Sequence, residues 1–251
     1  MKAIMKKALI FTLCLIPISA IAGIFAAIYQ FDVYDPAMLD EMISQIGNKT
    51  ALIAITAVQT VMYAVFCGFF GYILAEKLGL MRSFGLEKKK LLHVLIITLA
   101  MGVVLSLDYW TFGAAEPALR DGTASGLTPE AFIGSVLYGG IIEEVMIRLF
   151  MMSLIAFLAW KIFFRKHEKA PTGVIIAANI IAAILFAAGH LPATIAMFGE
   201  LTPLILFRCF LMNGGFGLAF GWLYQRYGIQ YAMLAHAGCH IVSKVIWLAF
   251  I

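Results

Sequence analysis

The sequence predicts an all-α, polytopic membrane helix bundle of about seven transmembrane helices. Three observations carry this. Hydrophobic residues fill 63% of the 251 positions and charged residues only 13%, whereas a soluble domain is nearer half apolar and a quarter charged. The apolar residues form long continuous runs. These suit helices that cross a ~30 Å hydrocarbon core, not the alternating strands of a barrel. Lysines and arginines cluster between the runs, as membrane orientation requires. The net charge of +4 is small, and no nucleic-acid partner is expected. Cys14, Cys67, Cys209 and Cys239 are scattered through apolar segments without paired spacing. They read as packing residues, not as a disulfide framework or a thiolate metal site.

In chain order, residues 1–251 read as one integral-membrane domain. Residues 8–29 follow a lysine-bearing start and exceed the ~7–15 residues of a cleaved signal core; they form an uncleaved first span. Residues 31–49 are acidic and polar, a loop with a short helix. Spans follow at 51–74 and 91–107, separated by the basic stretch 82–90. The polar segment 108–130 ends in a helix start, with Thr128 as N-cap and Pro129 at the first position. The helix beginning there runs to residue 164, ~54 Å, so it either projects beyond the membrane or breaks. A basic stretch, 161–169, precedes the fifth span at 172–190. Residues 191–202 form a partly embedded connection, and the last spans are 203–225 and 230–251. Basic connections alternate with acidic or weakly charged ones. This places the N-terminus in the cytoplasm and the C-terminus outside.

The polar residues inside the spans need a reason, since an ionisable group at the bilayer centre costs about 2.5–3.5 kcal/mol. In the stretch 140–150, Glu144 and Arg148 are one helical turn apart and can pair. Glu143 is about 100° round the helix from Glu144 and has no partner at helical spacing. His190 closes the fifth span and alone reads as an interfacial histidine. His236 and His240 share a face of the seventh span, and Lys244 extends that stripe. Alone, the pair fits a metal, a hydrogen-bonding wall or a packing stripe. Arg208 snorkels or pairs with Glu200. Gly214, Gly215, Gly217 and Gly221 indicate close helix packing. In hydrocarbon these groups must find one another or water. A cavity lined by Glu143, His190, His236 and His240 is the economical solution. A carboxylate with imidazoles can activate water and stabilise an oxyanion, which supports amide or ester hydrolysis.

Three motifs resemble those of the CPBP intramembrane proteases, which comprise the type II CAAX prenyl endopeptidases and bacteriocin-processing or abortive-infection homologues. Glu143-Glu144-Val145-Met146-Ile147-Arg148 resembles the family's EExxxR. Phe186 and His190 resemble FxxxH. His236 and His240 resemble HxxxN or HxxxD, with histidine in place of the more usual asparagine. Their order is right, and the likeness covers about residues 128–251.

The resemblance implies that Glu143 activates water with His190 assisting, that His236 and His240 stabilise the oxyanion, and that Glu144 and Arg148 are a structural pair. It implies no cofactor; zinc on His190, His236 and His240 is the alternative. It further implies a hydrophobic, lipidated or prenylated peptide or protein substrate, contact with membrane lipids, and a bacterial plasma (inner) membrane location. A non-catalytic immunity or scaffold protein of the same fold is the competing reading. A proton-coupled carrier is also compatible with the buried groups, but no inverted repeat supports it; haem ligation has no supporting motif. One expectation conflicts with the site. With alternating spans, His190 lies ~27 Å and His236 ~9 Å from the cytoplasmic ends of their helices.

Overall fold

A computed structural model describes residues 2–251 of the chain, and among these there is no strand. The long helices are α1 (Lys2–Val33), α3 (Lys49–Leu78) and α4 (Lys88–Leu107), with α2 (Pro36–Ile46) between the first two. Short helices α5 (Phe112–Ala115) and α6 (Pro117–Ser125) occupy the polar connection. Then α7 (Pro129–Gly134), two π-helical stretches (Ser135–Glu143 and Val145–Met152) and α8 (Ser153–Phe163) follow one another without a break. The second half ends with α9 (Thr172–Gly189), α10 (Leu191–Phe198), α11 (Pro203–Cys209), a third π stretch (Phe210–Gly215), α12 (Phe216–Tyr227) and α13 (Ile229–Phe250).

Among the described residues, six segments are helical, long and apolar enough to cross a membrane. The expected fourth span, α7 to α8, is not among these six. It does not break: residues 129–163 are helical throughout, including both π stretches. The two π stretches lie in its middle, a helix form frequent at functional sites.

Local chemistry sets the helix starts. Thr128 accepts from the Ala131 N–H ahead of Pro129, as its sequence predicts. Asp35, Asn48 and Thr202 cap α2, α3 and α11 in the same way. Gly79 ends α3 in the left-handed conformation, φ 71°, which favours glycine.

Three expectations are corrected. Residues 191–202 are mostly not loop: α10 continues α9 past His190, so the fifth span extends over Thr172–Phe198. Arg208 does not pair with Glu200, which is exposed in the turn before α11. Its Nε donates to both oxygens of Asp108 at 2.8 and 3.0 Å, at the buried end of α4. Cys67, Cys209 and Cys239 are buried as expected, but Cys14 is exposed on α1.

The expected depth conflict does not arise, since His190 and His236 both face Glu143. At ~1.5 Å per residue, Glu143 stands ~30 Å from Phe163 and His190 ~27 Å from Thr172, so the two are level when measured from the turn joining α8 to α9. His236 stands only ~10 Å from Ile229. Yet both histidines reach Glu143, at 3.6 and 3.9 Å, so distance along each helix does not by itself set their depth. The turn joining α8 to α9 is tied by the Trp160 indole, which donates to His167 O at 3.0 Å.

Candidate active site

The site forms where α13 crosses the first π stretch. Gly139 and Gly140 make that approach possible. A Cβ at Gly139 would lie 2.8 Å from His240 Nε2, and one at Gly140 would lie 2.6–2.9 Å from Ala237, backbone included. On the other side of α13, Gly102 of α4 packs against Val242, and Gly238 packs against Thr98. α13 is thus held between α4 and the π stretch, and its histidines are carried to the glutamates.

Glu143, His190, His236 and His240 line one cavity of about 270 Å³. Glu143 Oε1 is 3.6 Å from His190 Nε2, and Oε2 is 3.9 Å from His236 Nε2. Both exceed a direct hydrogen bond, and a water in the adjoining cavity can contact both partners from the side. The opposite ring nitrogens are fixed. His190 Nδ1 donates to Phe186 O at 2.8 Å, since a carbonyl only accepts. His236 Nδ1 lies 2.9 Å from Glu144 Oε1, and an ionised carboxylate likewise accepts. Each Nε2 thus faces Glu143 with its tautomer set by the protein. The His240 ring stacks on His236, centroids 5.1 Å apart. Among the described residues no hydrogen bond fixes its tautomer.

Behind the cavity lies the pair expected from spacing. Glu144 is 0% exposed and Arg148 1%, with Oε1 and Nη1 3.3 Å apart. Glu144 therefore does two things where sequence spacing showed one: it balances Arg148 and orients His236. The Arg148 guanidinium rests over the Phe186 ring, 4.6 Å from its centroid, and over Phe220 at 5.7 Å. Gly217 leaves room for it, because a Cβ there would meet Nη2 at 2.9 Å. Phe186 also meets His190 edge to face at 4.6 Å, and Phe220 stacks on His236 at 4.4 Å.

Sequence reading missed Phe220, Gly139 and the Asp108–Arg208 pair. The two adjacent glycines before Glu143-Glu144 were the available signal for the first approach; nothing local marks Phe220. Among the described residues, no group of three or more His, Cys, Asp or Glu side chains has an arrangement that could hold a metal ion.

Fold and cavity together define an all-α integral membrane protein with a polar site buried among its helices. Residues 126–242 match the model of a family described as Rce1-like, type II CAAX prenyl endopeptidase. That bears out the resemblance carried by the three motifs, and it supports a protease or hydrolase at the general level. The match includes every residue of those motifs. Comparison with curated proteins and with solved structures found no match.

Proposed function

We propose that the protein is an intramembrane endopeptidase that hydrolyses a peptide bond of a hydrophobic or lipidated substrate with a glutamate-activated water. The observation that supports it is the convergence of His190 Nε2 and His236 Nε2 on the two oxygens of Glu143. A water in the cavity beside Glu143 and His190 gives one hydrogen to the carboxylate and the other to His190 Nε2. Its lone pair is then free for the substrate carbonyl. As the water oxygen attacks the carbonyl carbon, its proton passes to Glu143. When the C–N bond breaks, Glu143 returns that proton to the leaving amine.

The oxyanion needs an N–H donor. His236 spends its Nδ1–H on Glu144, so it donates from Nε2 only when both its nitrogens carry protons. His240, whose tautomer is free, donates from Nε2 while neutral. The histidine that replaces the usual asparagine is therefore the better oxyanion donor of the two.

The test is hydrolysis of quenched fluorescent peptides by purified protein in nanodiscs. Glu143→Gln is expected to lower the rate ~10²–10⁴-fold, the usual worth of acid–base catalysis, with the thermal midpoint unchanged. Activity within a few-fold of wild type sinks the role of Glu143. A non-catalytic scaffold tolerates this isosteric change in a complementation assay. Gly139→Ala is expected to cost at least tenfold in rate, because the added methyl displaces the His240 imidazole. An unchanged rate shows that His240 does not act at its observed position.

A further inference from the structure

Asn213 is a polar residue of the cavity that the proposed reaction leaves idle. The cavity that holds Glu143 adjoins a smaller one of about 50 Å³, and Leu105, Asn213, His236 and His240 line both. Asn213 therefore borders the same space as the two histidines of α13. Its depth agrees. The third π stretch lies along α9, so that a Cβ at Gly214 would stand 3.6 Å from the Ala187 Cβ and 3.7 Å from Ala183 O. One turn earlier, the Cys209 thiol donates to Ala187 O at 3.4 Å. Ala187 precedes His190 by three residues, which sets the carboxamide near the end of α9 that brings His190 to Glu143.

The carboxamide is anchored through its nitrogen. Nδ2 donates to Cys209 O, four residues back, at 3.1 Å. That contact fixes which end of the group is nitrogen, because a flipped amide would set Oδ1 against a carbonyl oxygen. The other N–H has only the Cys209 sulfur at 3.5 Å, and sulfur is a weak acceptor. Cys209 is 1% exposed, so the anchor itself is firmly packed. An amide held by one N–H with the other to spare is a preorganised donor. It carries no charge and, unlike His236, donates without first taking up a proton. When the water oxygen bonds to the substrate carbonyl carbon, the C=O π pair moves onto oxygen. His240 supplies one N–H to that oxyanion, and an oxygen with several lone pairs accepts more than one. Resting on the hydrolysis proposed above, we propose that Asn213 is a further catalytic residue, whose spare Nδ2–H donates to the oxyanion beside His240. The amide neither gains nor loses a proton. When the C–N bond breaks, the electron pair returns to the carbonyl. The bond is strongest in the transition state, so it acts on kcat and not on KM.

Wild type and three variants, compared on the quenched peptides in nanodiscs, test this. Asn213→Leu keeps the size and loses the amide. Asn213→Asp keeps an acceptor oxygen and loses the donor, and Asn213→Gln keeps a donor on a longer arm. The Leu and Asp variants are expected to lower kcat ~10²–10³-fold, the usual worth of one oxyanion donor, with KM and thermal midpoint little changed. The Gln variant should recover part of the loss. The kcat ratio of the Asp to the Leu variant should rise as pH falls, since a carboxyl group donates only when protonated. A ratio that stays flat or falls makes Asn213 at most an acceptor that positions His240, and overturns the assignment. So does a loss that follows the midpoint or falls on KM, which marks a structural residue. Wild-type kcat in all three variants overturns the assignment while hydrolysis stands. If wild type cleaves none of the peptides, or Glu143→Gln cleaves them equally well, the hydrolysis reading fails and the oxyanion donor falls with it.

Discussion

Glu144→Ala is expected to remove the folded protein almost entirely, with a stability loss of about 3–5 kcal/mol, the usual cost of stranding one partner of a buried ion pair. Arg148 is 1% exposed, and neither Nη atom makes a hydrogen bond of good geometry even with Glu144 present. The faces of Phe186 and Phe220 and the Glu144 carboxylate are what compensate the guanidinium. Without the carboxylate, the aromatic contacts are too weak to hold the charge. The measurement is the thermal midpoint in detergent beside Glu143→Gln, which should keep its midpoint. Glu144→Ala with Arg148→Met should recover much of the stability, because a matched removal leaves no stranded charge. Peptidase activity should stay low in the double variant, because His236 still lacks the acceptor that sets its tautomer. Equal midpoints for the single and double variants count against this account.

Gly140→Val is expected to be nearly as severe, and for a steric reason. The Cβ position at Gly140 falls within 3 Å of the Cβ, Cα and backbone nitrogen of Ala237. A flexible side chain can swing away from such a contact, as His240 can from Gly139; backbone cannot. The π stretch and α13 must separate, and overpacking of this kind costs about 1–3 kcal/mol. Separation also carries His236 and His240 away from Glu143, so activity should fall further than stability alone explains. Comparing the midpoint with the rate per folded molecule checks this. Wild-type activity in Gly140→Val contradicts the close crossing.

The bundle was legible in the sequence because hydrocarbon imposes a simple rule: apolar runs of sufficient length become helices, and basic stretches separate them. The four residues of the cavity were legible because buried ionisable groups are too costly to stand alone. Glu143 had no partner along its own helix, which pointed to partners on others. What was not legible depends on three-dimensional offsets. Nothing in residues 172–190 shows how α9 is placed against α13, so His190 and His236 looked incompatible in depth although both reach Glu143. Arg208 was matched to Glu200 because nearness in sequence is visible, while Asp108, a hundred residues away, is not. The second role of Glu144 was hidden likewise, since His236 reaches it from a helix 92 residues later.

The cavity has two kinds of wall. Glu143, His190, His236 and His240 lie within the family-matched segment 126–242. Tyr138, Met197, Arg208 and Asn213 line it from the same segment, whereas Ala26, Tyr29, Leu105, Leu119, Thr123 and Lys244 line it from outside. The cavity is thus composite: the matched segment encloses it only together with α1, the end of α4, α6 and the last turns of α13.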